Sequence, residues 1–315
     1  MNILRKQRIW RKPVTIIVGI ICKGSIVLAA DSQTTIGDAK RCDAEKISII
    51  DFKGTGNRIL VAQSGTVSTS SRAVDHIETI AATRELTDAD SVIQTVQEAL
   101  RKVKDELRFQ NFGCSAEELG KIIFNGGLDS SLMVAHYVEK DGLRKPYIHT
   151  FTFSTGLVET SKSFYESAGC GSPLANYLLS EICSEKMDTE LGEAVAVYVV
   201  DKAIKHVAYC DRPIRLASIH CFKPFYFPPE PNPFEPPDKQ KHKFSPVFID
   251  NVRIKDNSEV TEIANKVSKI DEETKAARME KLKFGIKTIA DALAPYPPAG
   301  ISGASIPAGL AGLLE

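Results

Sequence analysis

Two short apolar runs separated by a turn constrain the fold of this chain more than any other feature. The first covers Ile16–Cys22 and the second covers residues 26–30, and both are rich in β-branched residues. The intervening Lys23-Gly24-Ser25 is typical of a tight turn, so we predict an antiparallel hairpin. Basic residues before the first run allow the alternative of a secretory signal peptide, but each run is too short to cross a bilayer. No membrane association is therefore expected.

The rest of the first 220 residues alternates between strand-like and helix-like patterns. Strands are expected at residues 47–50, 59–62, 131–138, 148–153 and 214–219. Helices are expected at residues 72–83, 88–109, 173–183 and 189–206. This order favours an α+β fold in which two packed antiparallel sheets carry helices on their outer faces.

The composition changes sharply after Cys221. Seven of the sixteen prolines lie between residues 221 and 237, and such a segment continues neither a helix nor a central strand. Apolar residues then recur at helical spacing as far as residue 293. We predict an N-terminal extension or propeptide over 1–14, a core domain over 15–222, a Pro/Phe-rich connector over 223–256, an amphipathic helical extension over 257–293 and a flexible tail over 294–315.

Charge and metal-binding residue types exclude several classes of function. The 40 basic and 40 acidic residues give a formal net charge of zero, which disfavours a general nucleic-acid binder. The seven cysteines are odd in number and form no C-x-x-C pair, and the six histidines are scattered. These features favour a cytoplasmic protein with no metal and no cofactor.

A cluster of three polar residues is predicted at one end of the hairpin. If the chain turns at Gly24 in a register that places Asp31 opposite Ile17, then Thr15 and Asp31 project from the same face. Lys46 begins the next strand and can reach them. A threonine at a chain terminus has its own α-amine as an adjacent base, a lysine would favour the neutral amine, and an aspartate would hold the lysine. The alternative is a surface threonine beside an ordinary salt bridge.

Several stretches of the sequence resemble a known family. They are residues 15–20, 24–35, 46–47, 61–65, 168–173 and 187–204, within a span of roughly Val14 to Ile219 that makes up about two thirds of the chain. They are similar to the corresponding stretches of proteasome-family subunits, of the 20S β-type and bacterial proteasome-like kind, which are N-terminal nucleophile hydrolases. The resemblance implies a four-layer α-β-β-α sandwich (the Ntn-hydrolase fold), here with a C-terminal helical extension.

The resemblance also implies roles for individual residues. It makes Thr15 the nucleophile of a threonine-type endopeptidase, with Asp31 and Lys46 as its supporting acid and lysine. Cys170 falls where catalytic relatives place a serine near the nucleophile amine, and we do not expect Cys170 to be the nucleophile itself.

Further positions are implied for the substrate. Thr35 falls on a substrate-backbone contact, and the turn containing Gln63 and Gly65 falls on the segment that supplies a backbone N–H to the oxyanion. Asp211 lies four residues beyond the position of a further supporting aspartate, which Val207 occupies, so that role is not transferred.

The implied partners are a peptide or unfolded protein as substrate, further copies of the chain in a ring, and an ATPase unfoldase. Activity would require removal of the fourteen residues before Thr15, and Pro13-Val14 replaces the glycine that self-processing relatives carry there. Two alternatives therefore stay open: a noncatalytic ring-forming or scaffold member of the same fold, and an N-terminal nucleophile amidohydrolase acting on a small amide.

Overall fold

The computed structural model describes residues 15–36, 39–42, 44–54, 57–124, 128–140, 143–207, 210–221, 225–226, 246–247 and 250–269. The chain divides into two compact units, Met1–Ala264 and Asn265–Glu315. The architecture below belongs to the first unit, apart from residues 265–269 at the end of the last described helix. The predicted N-terminal extension, most of the proline-rich segment, the helix beyond residue 269 and the tail lie outside the described residues.

The described chain contains fourteen strands and six α-helices. The strands are β1 (Ile16–Cys22), β2 (Ser25–Asp31), β3 (Thr34–Ile36), β4 (Ala39–Arg41), β5 (Ile47–Asp51), β6 (Arg58–Gly65), β7 (Ser130–Lys140), β8 (Leu143–Thr152), β9 (Val158–Thr160), β10 (Tyr165–Gly169), β11 (Ile214–Cys221), β12 (Phe225–Tyr226), β13 (Pro246–Val247) and β14 (Asp250–Lys255). The helices are α1 (Val67–Ala81), α2 (Ala89–Glu106), α3 (Ala116–Phe124), α4 (Ser172–Ile182), α5 (Thr189–His206) and α6 (257–269). A π-helical segment, Leu107–Phe112, continues α2.

Ten of these strands form two antiparallel sheets of five. The first sheet has the order β10-β1-β2-β11-β14, and the second has the order β5-β6-β7-β8-β9. The predicted polar cluster belongs to three strand ends: Thr15 directly precedes β1, Asp31 ends β2, which is paired with β1, and Lys46 directly precedes β5 of the second sheet.

Three separate apolar clusters define the layers. One packs α1 and α2 against the second sheet, and contains Ile77, Val96 and Phe151. Another packs α4 and α5 against the first sheet, and contains Val18 and Val200. The third lies between the sheets. The fold is therefore the predicted α+β, four-layer α-β-β-α sandwich of the Ntn-hydrolase type.

The β1–β2 hairpin differs from the predicted register by one residue. Lys23 and Gly24 alone form the turn, with Gly24 at a φ of 86°, so that Cys22 pairs with Ser25. In this register Ile17 lies opposite Ala30, and the expected pairing of Ile17 with Asp31 is wrong. Because two residues form the turn, each residue of β1 pairs with a residue of β2 that is one position earlier in the sequence than predicted.

The segment after the prolines contributes to the first sheet. Strand β14 lies inside the range predicted as a connector. It pairs antiparallel with β11, so that Leu216 is opposite Lys255 at one end and Cys221 is opposite Asp250 at the other. Helix α6 begins at residue 257, where the sequence predicts a helix, and its Val260 and Ala264 are buried in the α4–α5 cluster. Residues 250–264 therefore complete the sandwich.

Candidate active site

Thr15 lies at the start of β1, the second strand of the first sheet. Its carbonyl accepts a long hydrogen bond from the Gly171 N–H at 3.5 Å, which places the residue beside the loop that leads into α4. Gly169 approaches even more closely, because a Cβ added there would lie 2.1 Å from the Thr15 carbonyl oxygen. Thr15 is 2% exposed in the full chain. The backbone at this position is therefore tightly enclosed.

Lys46 brings the second sheet to Thr15. Its Nζ donates to Thr15 Oγ1 at 2.9 Å and to Asp31 Oδ1 at 2.9 Å. The Lys46 carbonyl accepts the Gln63 N–H, which extends the β5–β6 ladder by one residue and fixes the lysine backbone. Lys46 is 4% exposed, so this ammonium is held by protein groups in a site with little access to water.

Asp31, the last residue of β2, anchors the lysine. Its carboxylate accepts the N–H of Ile16 at 3.1 Å and the N–H of Gln33 at 3.1 Å, besides the Lys46 ammonium. It is fully buried. The structure therefore brings Thr15, Asp31 and Lys46 together as the sequence predicts, although through a contact with Ile16 that the predicted register did not contain.

The electrostatics of the buried pair depend on burial and on the contact between the two groups. Burial lowers the pKa of Lys46, and the adjacent Asp31 carboxylate opposes that shift. Burial raises the pKa of Asp31, while Lys46 and the two backbone donors oppose it. Lys46 therefore has a lowered pKa and donates a hydrogen bond to the Thr15 hydroxyl.

A pair of cysteines borders this cluster. Cys170 lies between β10 and α4, and its thiol donates to the Thr15 carbonyl at 3.5 Å. Hydrogen bonding by Cys210 and by the Thr15 backbone outweighs burial and lowers the pKa of Cys170 to about 6. The same contact, together with burial, raises the pKa of Cys210. Sequence reasoning missed Cys210, which had no signal beyond its place among scattered cysteines.

The other predicted site residues are placed as follows. The Gln63 N–H is already used by the Lys46 carbonyl at 2.9 Å, and its side-chain amide donates to the Glu45 carbonyl. Gly65 ends β6 with a φ of 100°. Thr35 lies in β3, and its side chain is outside the described residues. The roles of all three in substrate or oxyanion binding stay predictions.

The Asp211 carboxylate is not part of the cluster formed by Thr15, Asp31 and Lys46. That group accepts the Arg212 N–H at 2.8 Å and is exposed. The Asp211 carbonyl, in contrast, accepts the Ser32 N–H at 3.2 Å, which holds the segment preceding β11 against the end of β2. This backbone contact brings Cys210 close to Asp31.

Among the described residues, no group of three or more His, Cys, Asp or Glu side chains is arranged to hold a metal ion. None of the helices described here is long and apolar enough to cross a membrane.

Solved structures similar to this chain include Anbu proteins. An Anbu (Gly-1) mutant from Hyphomicrobium sp. strain MC1 has a TM-score of 0.55 at 12% identity, covering 84% of this chain and 98% of that one. Anbu, or ancestral beta-subunit, from Yersinia bercovieri has a TM-score of 0.50 at 14% identity, covering 64% and 80%. The Anbu complex of Pseudomonas aeruginosa, described as a helical assembly, has a TM-score of 0.55 at 15% identity, covering 91% and 100%.

These comparisons correct the family assignment. No family model matches the chain, and no curated protein does. The similar structures named above are Anbu proteins, a proteasome-like but distinct family, so the assignment to 20S β-type or bacterial proteasome-like subunits is wrong. The short matching stretches led to the wrong family because they coincide with features of the fold, such as the β1–β2 hairpin. At 12–15% identity the likeness establishes the fold alone.

Proposed function

We propose that this chain is a self-assembling amide hydrolase of the N-terminal nucleophile type, in which Thr15 attacks peptide bonds after the Val14–Thr15 bond is cut. The observation that supports this most directly is the position of Lys46 Nζ, 2.9 Å from both Thr15 Oγ1 and Asp31 Oδ1. A fully buried lysine–aspartate pair directed at a threonine hydroxyl has a clear chemical use and little structural need, since burying both charges costs free energy.

The proposed reaction uses the α-amine that processing would create at Thr15. The amine accepts the proton of Oγ1 as the oxygen attacks the substrate carbonyl, and the leaving amine then takes that proton. The Lys46 ammonium stabilises the negative charge that develops on oxygen, and it also favours the neutral form of the α-amine. Water then hydrolyses the ester on Thr15, with the same amine as base. Asp31 positions Lys46 throughout.

Processing is the step on which this function depends. In the full chain Thr15 is 2% exposed and its nitrogen is an amide, so the proposed base does not exist before cleavage. The contacts of its hydroxyl with Lys46 are nevertheless already formed. Removal of residues 1–14 would therefore add the amine to an assembled site.

Oligomerisation is the second part of the proposal. A relative with 15% identity is described as a helical assembly, and a TM-score of 0.55 relates its fold to this one. We infer that copies of this chain also associate with one another, in a ring or a helical array. Substrates would then be peptides or unfolded proteins, and folded substrates would require an ATP-dependent unfoldase.

A noncatalytic scaffold is the second candidate function. The burial of Thr15 in the full chain favours it, as does Pro13-Val14 before the nucleophile in place of a flexible glycine. In this alternative the amide of Thr15 is never freed, and assembly is the only activity.

Intact-mass and N-terminal analysis of the protein from its own cells separates the two candidates. A chain that begins at Thr15 is the expected result, and a chain that retains residues 1–14 in the assembled state would favour the scaffold. Processed protein should then cleave unstructured peptides, and Thr15→Ala should not. Turnover of small amides without peptide cleavage would instead identify a small-amide hydrolase.

A further inference from the structure

Gln63, near the end of β6, makes three hydrogen bonds to the segments around the active-site lysine. Its backbone N–H donates to the Lys46 carbonyl at 2.9 Å. Its side-chain amide donates to the Glu45 carbonyl at 3.2 Å. Its amide oxygen accepts the Ser71 hydroxyl of α1 at 3.4 Å. This one residue therefore links the segment that leads into β5 with both β6 and α1.

The two carbonyls that Gln63 binds lie on either side of the Lys46 Cα atom. Each belongs to a planar peptide unit, so holding both units fixes the direction in which the lysine side chain leaves the backbone. That side chain is a flexible four-carbon stem, and the position of its ammonium depends on where the stem begins. The ammonium donates to Thr15 Oγ1 and to Asp31 Oδ1, both at 2.9 Å. Asp31 therefore holds the charged end of the lysine, and Gln63 holds its backbone end.

The contact with α1 determines which way the Gln63 amide faces. Ser71 lies in the second turn of α1, and its hydroxyl donates to the amide oxygen, so the amide nitrogen is left to face the Glu45 carbonyl. A glutamate at position 63 could accept from Ser71 but would have no N–H for the carbonyl. A methionine of similar length could do neither. The donor to Glu45 therefore requires an amide at this position.

We propose that Gln63 is a positioning residue for Lys46, whose side chain holds the segment before β5 so that the lysine ammonium reaches the Thr15 hydroxyl. Gln63 acts through the lysine. Its effect on catalysis rests on the proposed function. Its effect on Lys46 does not, because the contacts between Lys46 and Thr15 are formed in the full chain and can be tested before processing.

Acetylation of lysines in the full chain measures how firmly Lys46 is held. The folded protein is treated with an acetylating N-hydroxysuccinimide ester for increasing times in mildly alkaline buffer. It is then unfolded, and the remaining amines receive a deuterated acetyl group. Digestion after acidic residues places Lys46 in the peptide 46–51 and Lys255 in the peptide 251–256, each without a second lysine. The isotope ratio of each peptide gives the rate at which that lysine reacts.

Gln63→Met is the decisive variant, because it keeps the backbone N–H and the length of the side chain but loses both side-chain hydrogen bonds. Lys46 is 4% exposed in the unaltered chain, and in the variant it should react about fivefold faster, the factor to which one hydrogen bond of ordinary net strength corresponds. Lys255, whose side chain is 13% exposed and paired with Glu193, is the internal reference and should keep its rate.

Three further variants assign the effect to the amide donor. Gln63→Glu keeps only the acceptor for Ser71, so it should raise the Lys46 rate at least as much as the methionine variant does. Ser71→Ala keeps the donor to the Glu45 carbonyl and should have a smaller effect. Gln94→Met makes the same substitution at an exposed position of α2, and it should leave the Lys46 rate unchanged.

Processed protein gives a second measurement, which depends on the proposed function. The Lys46 ammonium favours the neutral form of the Thr15 α-amine, so a displaced ammonium would let the pKa of that amine rise. In Gln63→Met the acidic limb of kcat/KM should therefore move to higher pH. The value of kcat should fall about tenfold while KM changes little, since the change affects the placement of a reacting group.

The acetylation rates decide the proposal. An unchanged Lys46 rate in Gln63→Met would overturn it, and so would an equal rise at Lys255, which would indicate a general loosening of the fold. A faster reaction of Lys46 alone would support the positioning role. If such a protein is processed at Thr15 and still cleaves no amide, the positioning role stands and the proposed function is refuted.

Discussion

The ammonium of Lys255 lies 3.1 Å from the carboxylate of Glu193, and the two side chains are only 13% and 7% exposed. Lys255 is the last residue of β14, the strand that follows the proline-rich segment, and Glu193 is in the second turn of α5. Glu193 also accepts the Ser218 hydroxyl at 3.2 Å. A single buried ion pair thus joins the C-terminal strand to the helix that covers the first sheet.

Removing the lysine should destabilise the fold, because it leaves the Glu193 carboxylate buried without its cation. Lys255→Ala is expected to lower the free energy of unfolding by about 3 kcal/mol, measured by urea denaturation. The double variant Glu193→Gln, Lys255→Met should recover much of that loss. As a control, Lys102→Ala removes an exposed i,i+4 partner of Glu98 and should cost less than about 1 kcal/mol. Equal losses in the two alanine variants would contradict the role of burial.

The nucleophile can be tested without altering the surrounding contacts. In processed protein, Thr15→Ala should lower kcat/KM for peptide cleavage at least about a thousandfold, since Thr15 has the hydroxyl to which Lys46 donates among the residues that the structure describes. Thr15→Ser keeps the hydroxyl and should retain measurable activity. Thr79→Ala, on the exposed face of α1, is the matched control and should match the unaltered protein. Activity that survives in Thr15→Ala would exclude Thr15 as the nucleophile.

The two buried histidines of the second sheet predict a dependence of stability on pH. His136 Nε2 and His149 Nε2 are 3.0 Å apart, so one ring donates to the other and both must be neutral. Burial lowers the pKa of His136 to about 3 and that of His149 to about 4. Since the unfolded chain binds these protons near pH 6.5, stability present above that pH should be lost as the pH falls from about 6.5 toward 4. The slope is about 1.4 kcal/mol per pH unit for each ring.

Replacing one ring should reduce that slope. His136→Gln is expected to have a shallower loss of stability between pH 6.5 and 4 than the unaltered chain, whatever its stability at pH 7. The exposed His206 provides the control, because His206→Gln should leave the slope unchanged. An unchanged slope in His136→Gln would show that the acid sensitivity has another source. Denaturant titrations at fixed ionic strength give the values.

Gly169 should be the least replaceable glycine near Thr15. It has a φ of 96°, and an added Cβ would lie 2.1 Å from the Thr15 carbonyl oxygen. Gly169→Ala should therefore displace Thr15 and lower both stability and peptide cleavage. Gly24→Ala is a matched control with a φ of 86° and no heavy atom within 4 Å of the new Cβ, so it should cost about 1 kcal/mol through backbone strain alone. Equal effects of the two variants would show that the contact with Thr15 is unimportant.

Local patterns were sufficient to predict the sandwich and its polar cluster. The β-branched runs and Lys23-Gly24 specify the first hairpin, and strand β1 has the predicted bounds of Ile16–Cys22. The register was wrong by one residue because a sequence does not state how many residues of a turn stay unpaired. Thr15, Asp31 and Lys46 still meet, because the Lys46 ammonium reaches both of the other residues at the ends of β1 and β2.

The features that could not be predicted depend on contacts between distant segments. Nothing near Cys210 distinguishes it from the other cysteines, and only the pairing of β2 with β11 places the segment that contains it at the end of β2. Strand β14 follows a proline-rich stretch that argues against sheet structure, and it has β11 as its partner. The His136–His149 contact requires the pairing of β7 with β8, and the positions of the histidines in the sequence do not reveal that pairing.

Lys46 enters the site from the second sheet, whereas Thr15 and Asp31 belong to the first. The hydroxyl and its ammonium are therefore held in place by the packing of one sheet on the other, and not by either sheet alone. A slip of one sheet past the other by a few ångströms would abolish the site while every helix and strand persisted. Catalytic activity should therefore depend on the alignment of the two sheets. During heating or mild denaturation, the activity should be lost before the secondary structure is.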